Sequence, residues 1–182
     1  MPKYELFHPD HECLGQILID FENAIGGEQI YPVFQKHGLA NIDPEAWYPG
    51  QAYMDVLNDL EKNSSVQSTN FVSIGMKQVE TAAMPPEFES LPIVEILKMM
   101  NDAYRLNNRG TDIGEIRCEV VGERHVKMHI RVPQPDDIWY GICYGYMRRH
   151  IQPGMVFTVA YDADVPRREQ GGDETIIHIS WD

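Results

Sequence analysis

The fold is decided by residues 125–147, which read HVKMHIRVPQPDDIWYGICYGYM. In the first eight residues apolar side chains alternate with His125, Lys127, His129 and Arg131, and this period of two predicts a half-buried strand. After the two prolines the apolar residues recur at helical spacing. The stretch therefore predicts a strand followed by a helix that begins at Asp136 or Asp137 and runs to about residue 151.

The segments after this stretch and just before it continue the sheet. Residues 115–121 predict a hairpin partner that turns at 122–123, and residues 155–161 and 175–181 predict two further strands. The order is strand-strand-helix-strand-strand, which predicts a four-stranded antiparallel sheet.

The N-terminal part has the helical period instead. Three helices are predicted, over residues 14–25, about 30–37 and 70–84. Gly26 is expected to stop the first helix, and Gly38 is expected to end the second. Asp43-Pro44-Glu45 predicts another helix start, interrupted at residues 47–50 before a helix through residue 60. Ser90 is expected to cap a long helix that ends near residue 107, and residues 63–70 read as a polar loop.

These patterns together predict a single α+β domain over residues 1–182. Residues 1–110 form a mostly helical part, and residues 111–182 form the sheet with one helix. A chain of 182 residues is long enough to bury a core without disulfides or a structural metal.

Composition narrows the classes of partner and compartment. The chain has 28 acidic and 15 basic residues and a formal charge of -13, which would repel a phosphate backbone, so we expect no nucleic-acid partner. The three cysteines lie far apart, as expected in a reducing compartment. There is neither an apolar signal segment nor an apolar window of about 20 residues, so we expect a cytoplasmic protein without a membrane span.

Few residues suggest catalysis or metal binding. His8, His11 and Cys13 are of types that zinc accepts, but no second cluster completes a tetrahedral site. The row from His125 to Arg131 fits either an anion-binding surface or the solvent face of a strand. No nucleophile elbow, phosphate-binding glycine loop, His-Glu-x-x-His or Cys-x-x-Cys is present, so we predict that the chain is not an enzyme and has no catalytic or metal residues.

Two features of the predicted interior leave alternatives open. Gly141 and Gly145 lie one helical turn apart, which would let the helix approach the sheet closely or leave a groove for a ligand. The chain has nine methionines, and these fit either a pocket of adjustable shape or ordinary core filling. The six methionines expected in the interior are Met76, Met84, Met99, Met100, Met128 and Met147.

The order of elements and the segments 126–132, 139–147 and 178–181 resemble one superfamily. It unites heme nitric-oxide/oxygen-binding (H-NOX) domains, four-vinyl-reductase domains and subunits of the TRAPP trafficking complex. The similarity extends over nearly the whole chain, and its motif is a Gly-x-x-x-Gly helix between two hairpins. The resemblance implies an H-NOX-like fold.

The resemblance also implies a heme site whose residues are largely missing here. Heme-binding members hold iron through a histidine on a central helix and clamp the propionates with a Tyr-x-Ser-x-Arg strand. This chain has no histidine between His37 and His125, and its clamp strand reads Lys127-x-His129-x-Arg131. Because imidazole is the iron donor in that family, we expect no heme and no other cofactor. An atypical heme site through His125, His129 or His150 is the alternative.

We therefore expect a non-enzymatic sensory or ligand-binding domain that holds a small, largely apolar molecule between helices and sheet. Its expected partners are this molecule and a signalling protein or a second copy of the chain in a homodimer. The residues expected to bind the ligand are Met76, Met100, Tyr104, Trp139 and Cys143 in the pocket wall and Arg131 as the polar anchor.

Three other functions stay open. The first is a protein-interaction or adaptor module acting as a homodimer through exposed Trp47, Tyr48 and Tyr53. The second is a heme-based gas sensor with an atypical iron ligand. The third is a metal-assisted enzyme that uses His8, His11 and Cys13.

Overall fold

The computed structural model describes residues 3–26, 30–62, 70–82 and 86–182. Its helices are α1 (Gly15–Ile25), α2 (Tyr31–Lys36), α3 (Gly50–Lys62), α4 (Phe71–Thr81), α5 (Pro86–Glu89), α6 (Ile93–Lys98), α7 (Met100–Asn107) and α8 (Asp136–His150). Its strands are β1 (Glu12–Leu14), β2 (Trp47–Pro49), β3 (Asn108–Arg109), β4 (Glu115–Gly122), β5 (His125–Arg131), β6 (Phe157–Tyr161) and β7 (Thr175–Trp181). None of the helices within those ranges is both long and apolar enough to traverse a bilayer.

The predicted four-stranded antiparallel sheet is confirmed. Its strand order is β4-β5-β7-β6, and β5 pairs with β7 through Met128 opposite Ile177. Along β5 the side chains alternate between buried and half-buried, as the period of two predicts. The buried face of the sheet forms one core with α8, in which Met128, Cys143 and Ile177 are fully enclosed. The α+β class is thereby established.

A second, small sheet was not predicted. β1 pairs with both β2 and β3, which joins residues 12–14 to residues 47–49 and 108–109. Strands of two or three residues are too short to show an alternating pattern, so the sequence carries no signal for them.

The helix start predicted at Asp43-Pro44-Glu45 is wrong, since this segment is a turn leading into β2. The Asp43 carboxylate accepts a hydrogen bond from the Glu45 amide at 2.9 Å, and the Asp43 amide donates to the Tyr48 hydroxyl at 2.8 Å. An aspartate side chain that bonds two residues ahead offers the backbone an alternative to a helix.

The long helix predicted from Ser90 to residue 107 is present as two helices, α6 and α7, which begin at Ile93 and are separated at Met99. Pro92 occupies the N-cap of α6, and a proline disfavours the helical conformation in the residue before it. The Ser90 hydroxyl donates to the carbonyl of Glu87 instead of capping a helix.

The other predicted helices are confirmed in the described residues. α1 ends at Gly26 with φ 99°, and Gly38, with φ 77°, follows α2. α4 starts where Asn70 accepts a hydrogen bond from the Ser73 amide. The predicted loop over residues 63–70 and the predicted helix end at Met84 lie almost wholly outside the described residues.

Close contact between α4 and α8 holds the two parts of the domain together. A Cβ added at Gly75 would overlap the carbonyl oxygen of Ile138, and one added at Gly141 would overlap that of Val72. A Cβ at Gly145 would lie 2.9 Å from the Cβ of Val79. The glycines of α8 thus allow close packing against α4, not against the sheet as the sequence suggested.

Candidate functional site

A cavity of about 160 Å³ lies where α4 and α8 meet the first helices and α7. None of its walls is a strand of the four-stranded sheet, so the space lies between helices, with α8 separating it from the sheet. The residues that line it are Ile17, Tyr53, Gln78, Met100, Ala103, Tyr104, Asn107, Asn108, Gln134, Ile138, Trp139, Ile142 and Tyr146.

Three of the six residues predicted to bind the ligand line this cavity. Met100 and Tyr104 enter it from α7, and Trp139 enters it from α8. The Tyr104 and Trp139 rings pack edge to face with their centroids 5.7 Å apart. This contact fixes two walls of the cavity relative to each other.

The other three predicted residues lie elsewhere. Met76 faces a separate cleft with Gly145 and Arg149, and Cys143 is fully buried in the core under the sheet. Arg131 forms a bidentate ion pair with Asp112, at 2.9 and 2.8 Å, and lies over the ring of Phe7. Whether any of the six contacts a ligand stays a prediction.

Three residues lining the cavity each carry a buried polar atom without a hydrogen-bond partner among the described residues. These atoms are Oε1 of Gln78, Oε1 of Gln134 and Nε1 of Trp139. Gln134 is 5% exposed and Trp139 is 8% exposed. An unpaired buried polar group costs about 1–3 kcal/mol, so two acceptors and one donor at one cavity require an explanation.

Tyr104 is held in place by other contacts. Its hydroxyl donates to the carbonyl of Ile113, and its own carbonyl accepts from the Asn108 amide at 2.9 Å. Burial raises the pKa of Tyr104. The phenol therefore stays protonated and serves as a fixed wall of the cavity.

Behind Asn108 lies a buried histidine. His11 is 2% exposed, and its Nε2 is 3.0 Å from Oδ1 of Asn108. Because the Asn108 amide nitrogen already donates to Tyr104, its oxygen must accept, so His11 donates through Nε2. Its Nδ1 has no partner among the described residues.

His11 makes the stability of the domain sensitive to acid. Burial lowers the pKa of His11, against the opposing effects of Asn108, Asp10 and Asp112. The unfolded chain, with a histidine pKa near 6.5, then binds the proton more readily, so stability is lost as the pH falls through that value. We expect the unfolding free energy of His11→Gln to fall less than that of the wild type when the pH is lowered from 7 to 5. Urea denaturation at each pH measures this difference. Equal losses would contradict this assignment.

The histidines of β5 belong to a network of charges on the outer face of the sheet. His129 bonds Glu174 at 2.7 Å and Glu119 at 2.8 Å, and His125 bonds His178 at 2.9 Å. Carboxylates therefore neutralise this row, which favours the solvent-face interpretation over an anion-binding surface. His150, near the end of α8, is half-buried, and burial lowers its pKa.

The N-terminal group of possible zinc ligands is not assembled. His8 pairs with Asp10, His11 bonds Asn108, and the Cys13 thiol is buried beside the Tyr48 carbonyl. Within the part of the chain that the structure describes, no three histidine, cysteine or acidic side chains are placed to hold a metal ion.

The aromatic residues expected at an interface are not all at the surface. Tyr53 is 4% exposed and lines the cavity, so that expectation is wrong for this residue. Trp47 is half-buried beneath the guanidinium of Arg109, 4.3 Å from its ring centroid. Tyr48 is also half-buried.

Several residues that line the cavity were not predicted from the sequence. Gln78 lies on a helix that reads as amphipathic, and Gln134 lies between Pro133 and Pro135 just before α8. The one available signal was a glutamine confined between two prolines, where a polar side chain is held in a fixed position. Nothing in the pattern linked it to Gln78, 56 positions earlier in the chain.

Comparison with known proteins gives structural neighbours only. No family model matches the sequence, and no curated protein matches it. Solved structures of H-NOX domains are similar over almost the whole chain. An oxygen-binding H-NOX domain related to soluble guanylate cyclases, in its oxygen complex, has a TM-score of 0.68 at 13% identity over 92% of this chain and 94% of that chain.

An H-NOX protein from S. oneidensis in the Fe(II)NO state has a TM-score of 0.70 at 10% identity over 93% of this chain and 99% of that chain. A Cs H-NOX variant gives 0.69 at 12% identity over 92% and 96%. At this identity the likeness concerns the backbone, and it establishes that the chain has the H-NOX fold.

Proposed function

We propose that this chain is a non-enzymatic sensory domain that binds a small, largely apolar molecule with a hydrogen-bonding group in the cavity between α4, α7 and α8. The observation that carries the proposal is that Gln78, Gln134 and Trp139, which each have a buried unpaired polar atom, all line this cavity. If these side chains turn toward the cavity, a ligand with one donor and one acceptor would pair two of the three atoms and remove the cost of leaving those two unpaired.

The volume of the cavity supports a small ligand. An engineered apolar cavity of about 150 Å³ holds benzene, whereas pockets for drug-sized ligands begin near 300 Å³. At about 160 Å³, the space matches a single ring. Its lining is mostly aliphatic and aromatic, which suits an apolar body with one polar group.

The similar H-NOX structures suggest heme as a ligand. The residues that line this cavity argue against heme. The residues around the cavity include neither histidine nor cysteine, and their iron-donor types are limited to Met100 and tyrosines. Tyr104 already donates to a carbonyl, and Arg131 is paired with Asp112. These residues do not fit an iron porphyrin, and we propose a ligand of another class.

A fold shared with sensor domains supports a signalling role. α8 forms part of the cavity wall and packs on both α4 and the sheet. Binding that shifts α8 would therefore be transmitted to both halves of the domain. We propose that a signalling protein, or a second copy of this chain, detects that shift.

Calorimetric titration with phenol tests the site. Phenol has one ring, one donor and one acceptor. We expect Gln134→Met and Trp139→Phe each to weaken phenol binding by about three- to tenfold, which is the effect of one hydrogen bond. The matched controls Gln35→Met and Trp181→Phe make the same chemical changes away from the cavity and are expected to leave the affinity unchanged. Equal phenol affinity in all five proteins would contradict the proposed site.

A further inference from the structure

A surface groove adjoins the cavity. It measures about 350 Å³ and is bounded by α5, α6 and α7. Met100, Ala103, Asn107 and Tyr146 line both spaces, so the groove begins where the cavity ends.

The groove is apolar in character. Phe88, Ile96, Met99 and Leu106 form its floor and rim, and Asp102 and Asn107 are the polar residues on it. Leu106 is 75% exposed, which is high for a large aliphatic side chain at the edge of an apolar depression. Covering such a surface with hydrocarbon is favourable by the hydrophobic effect.

We propose that the ligand is an elongated amphipathic molecule, with a ring-sized polar head in the cavity and a hydrocarbon tail in this groove. The inference rests on the proposed function, because it takes the cavity as the site of the head. It specifies the ligand class further, since the residues with unpaired polar atoms line the cavity and not the groove.

The contrast between the two spaces sets the orientation of the ligand. Gln78, Gln134 and Trp139 carry the buried unpaired atoms and line the cavity, and none of these residues lines the groove. A molecule with its polar group at one end can satisfy the cavity and bury its chain in the groove. A ligand confined to the cavity would leave the groove and the exposed Leu106 in water.

A separate protein partner explains the groove less well. A partner helix would cover Leu106, but it would not account for the wall that the groove shares with a cavity whose lining residues carry unpaired polar atoms. The shared residues Met100 and Tyr146 favour one occupant that extends through both spaces.

A homologous series of probes tests the inference: phenol, 4-propylphenol and 4-hexylphenol, titrated calorimetrically into the full chain. Burial of one methylene contributes about a fourfold gain in affinity. We expect the affinity to rise by about fiftyfold from phenol to 4-propylphenol, and to rise again for 4-hexylphenol until the groove is filled. Leu106→Glu puts a charge on the rim and is expected to weaken 4-hexylphenol binding by at least about tenfold.

The matched control is Val156→Glu. Val156 is 64% exposed and lies just before β6, outside the groove lining. This variant is expected to bind 4-hexylphenol as the wild type does.

The outcomes separate the two proposals. If phenol binds and longer chains add nothing, the tail inference is wrong while the proposed function stands. If no member of the series binds, both are wrong. If chain length matters but Leu106→Glu and Val156→Glu behave alike, the tail lies elsewhere and the groove assignment is wrong.

Discussion

Gly141→Ala is expected to destabilise the domain by about 3 kcal/mol, the upper end of the usual cost of overpacking a core. The added methyl group would overlap the carbonyl oxygen of Val72, which belongs to the backbone of α4 and cannot rotate away. α4 and α8 would have to separate, and Gly75 would lose its close approach to Ile138. Urea denaturation measures the change in unfolding free energy.

Gly122→Ala is the matched control for this substitution. A Cβ at Gly122 would meet no atom within 4 Å, and its φ lies outside the left-handed region. We expect its effect to stay within about 0.5 kcal/mol. A loss at Gly141 no larger than the loss at Gly122 would show that the two helices are not in the contact described.

Phe21→Ala is expected to cost about 3–5 kcal/mol, as is usual when a buried phenylalanine is truncated. Phe21 is completely buried and packs against the rings of Phe34 and Tyr53, at centroid distances of 6.3 and 5.2 Å. Tyr53 also lines the cavity, so loosening it should weaken phenol binding as well as stability.

Tyr31→Ala serves as the control because Tyr31 is an aromatic residue at the start of α2 that is 39% exposed. It is expected to cost less than about 1 kcal/mol and to leave phenol affinity unchanged. If Phe21→Ala destabilised the protein without weakening phenol binding, the proposed coupling between the N-terminal core and the cavity would be wrong.

Periodicity was sufficient to predict the main elements. The alternation from His125 to Arg131 and the helical spacing after Asp136 predicted a strand and a helix at those positions, and both are confirmed. Elsewhere, local interactions of single residues override the periodic pattern. Pro92 sets the start of α6 at Ile93 instead of at the predicted cap Ser90, and the Asp43 side chain holds a turn where a helix start was expected.

The candidate site was predictable only in part. Met100, Tyr104 and Trp139 lie on apolar helical faces, and their assignment to an interior wall could be made from spacing alone. Gln78 and Gln134 come together through the crossing of α4 and α8, a long-range arrangement that no local pattern encodes. Whether a polar side chain lines the cavity or faces solvent elsewhere depends on that crossing.

We propose that the cavity of this H-NOX fold accepts a small amphipathic molecule and does not hold an iron porphyrin. Absorption spectroscopy of the purified protein, before and after one equivalent of hemin is added, tests this proposal. We expect no protein-bound porphyrin band in the first spectrum and, in the second, only the sum of free hemin and protein. A saturable Soret band at one heme per chain would contradict it.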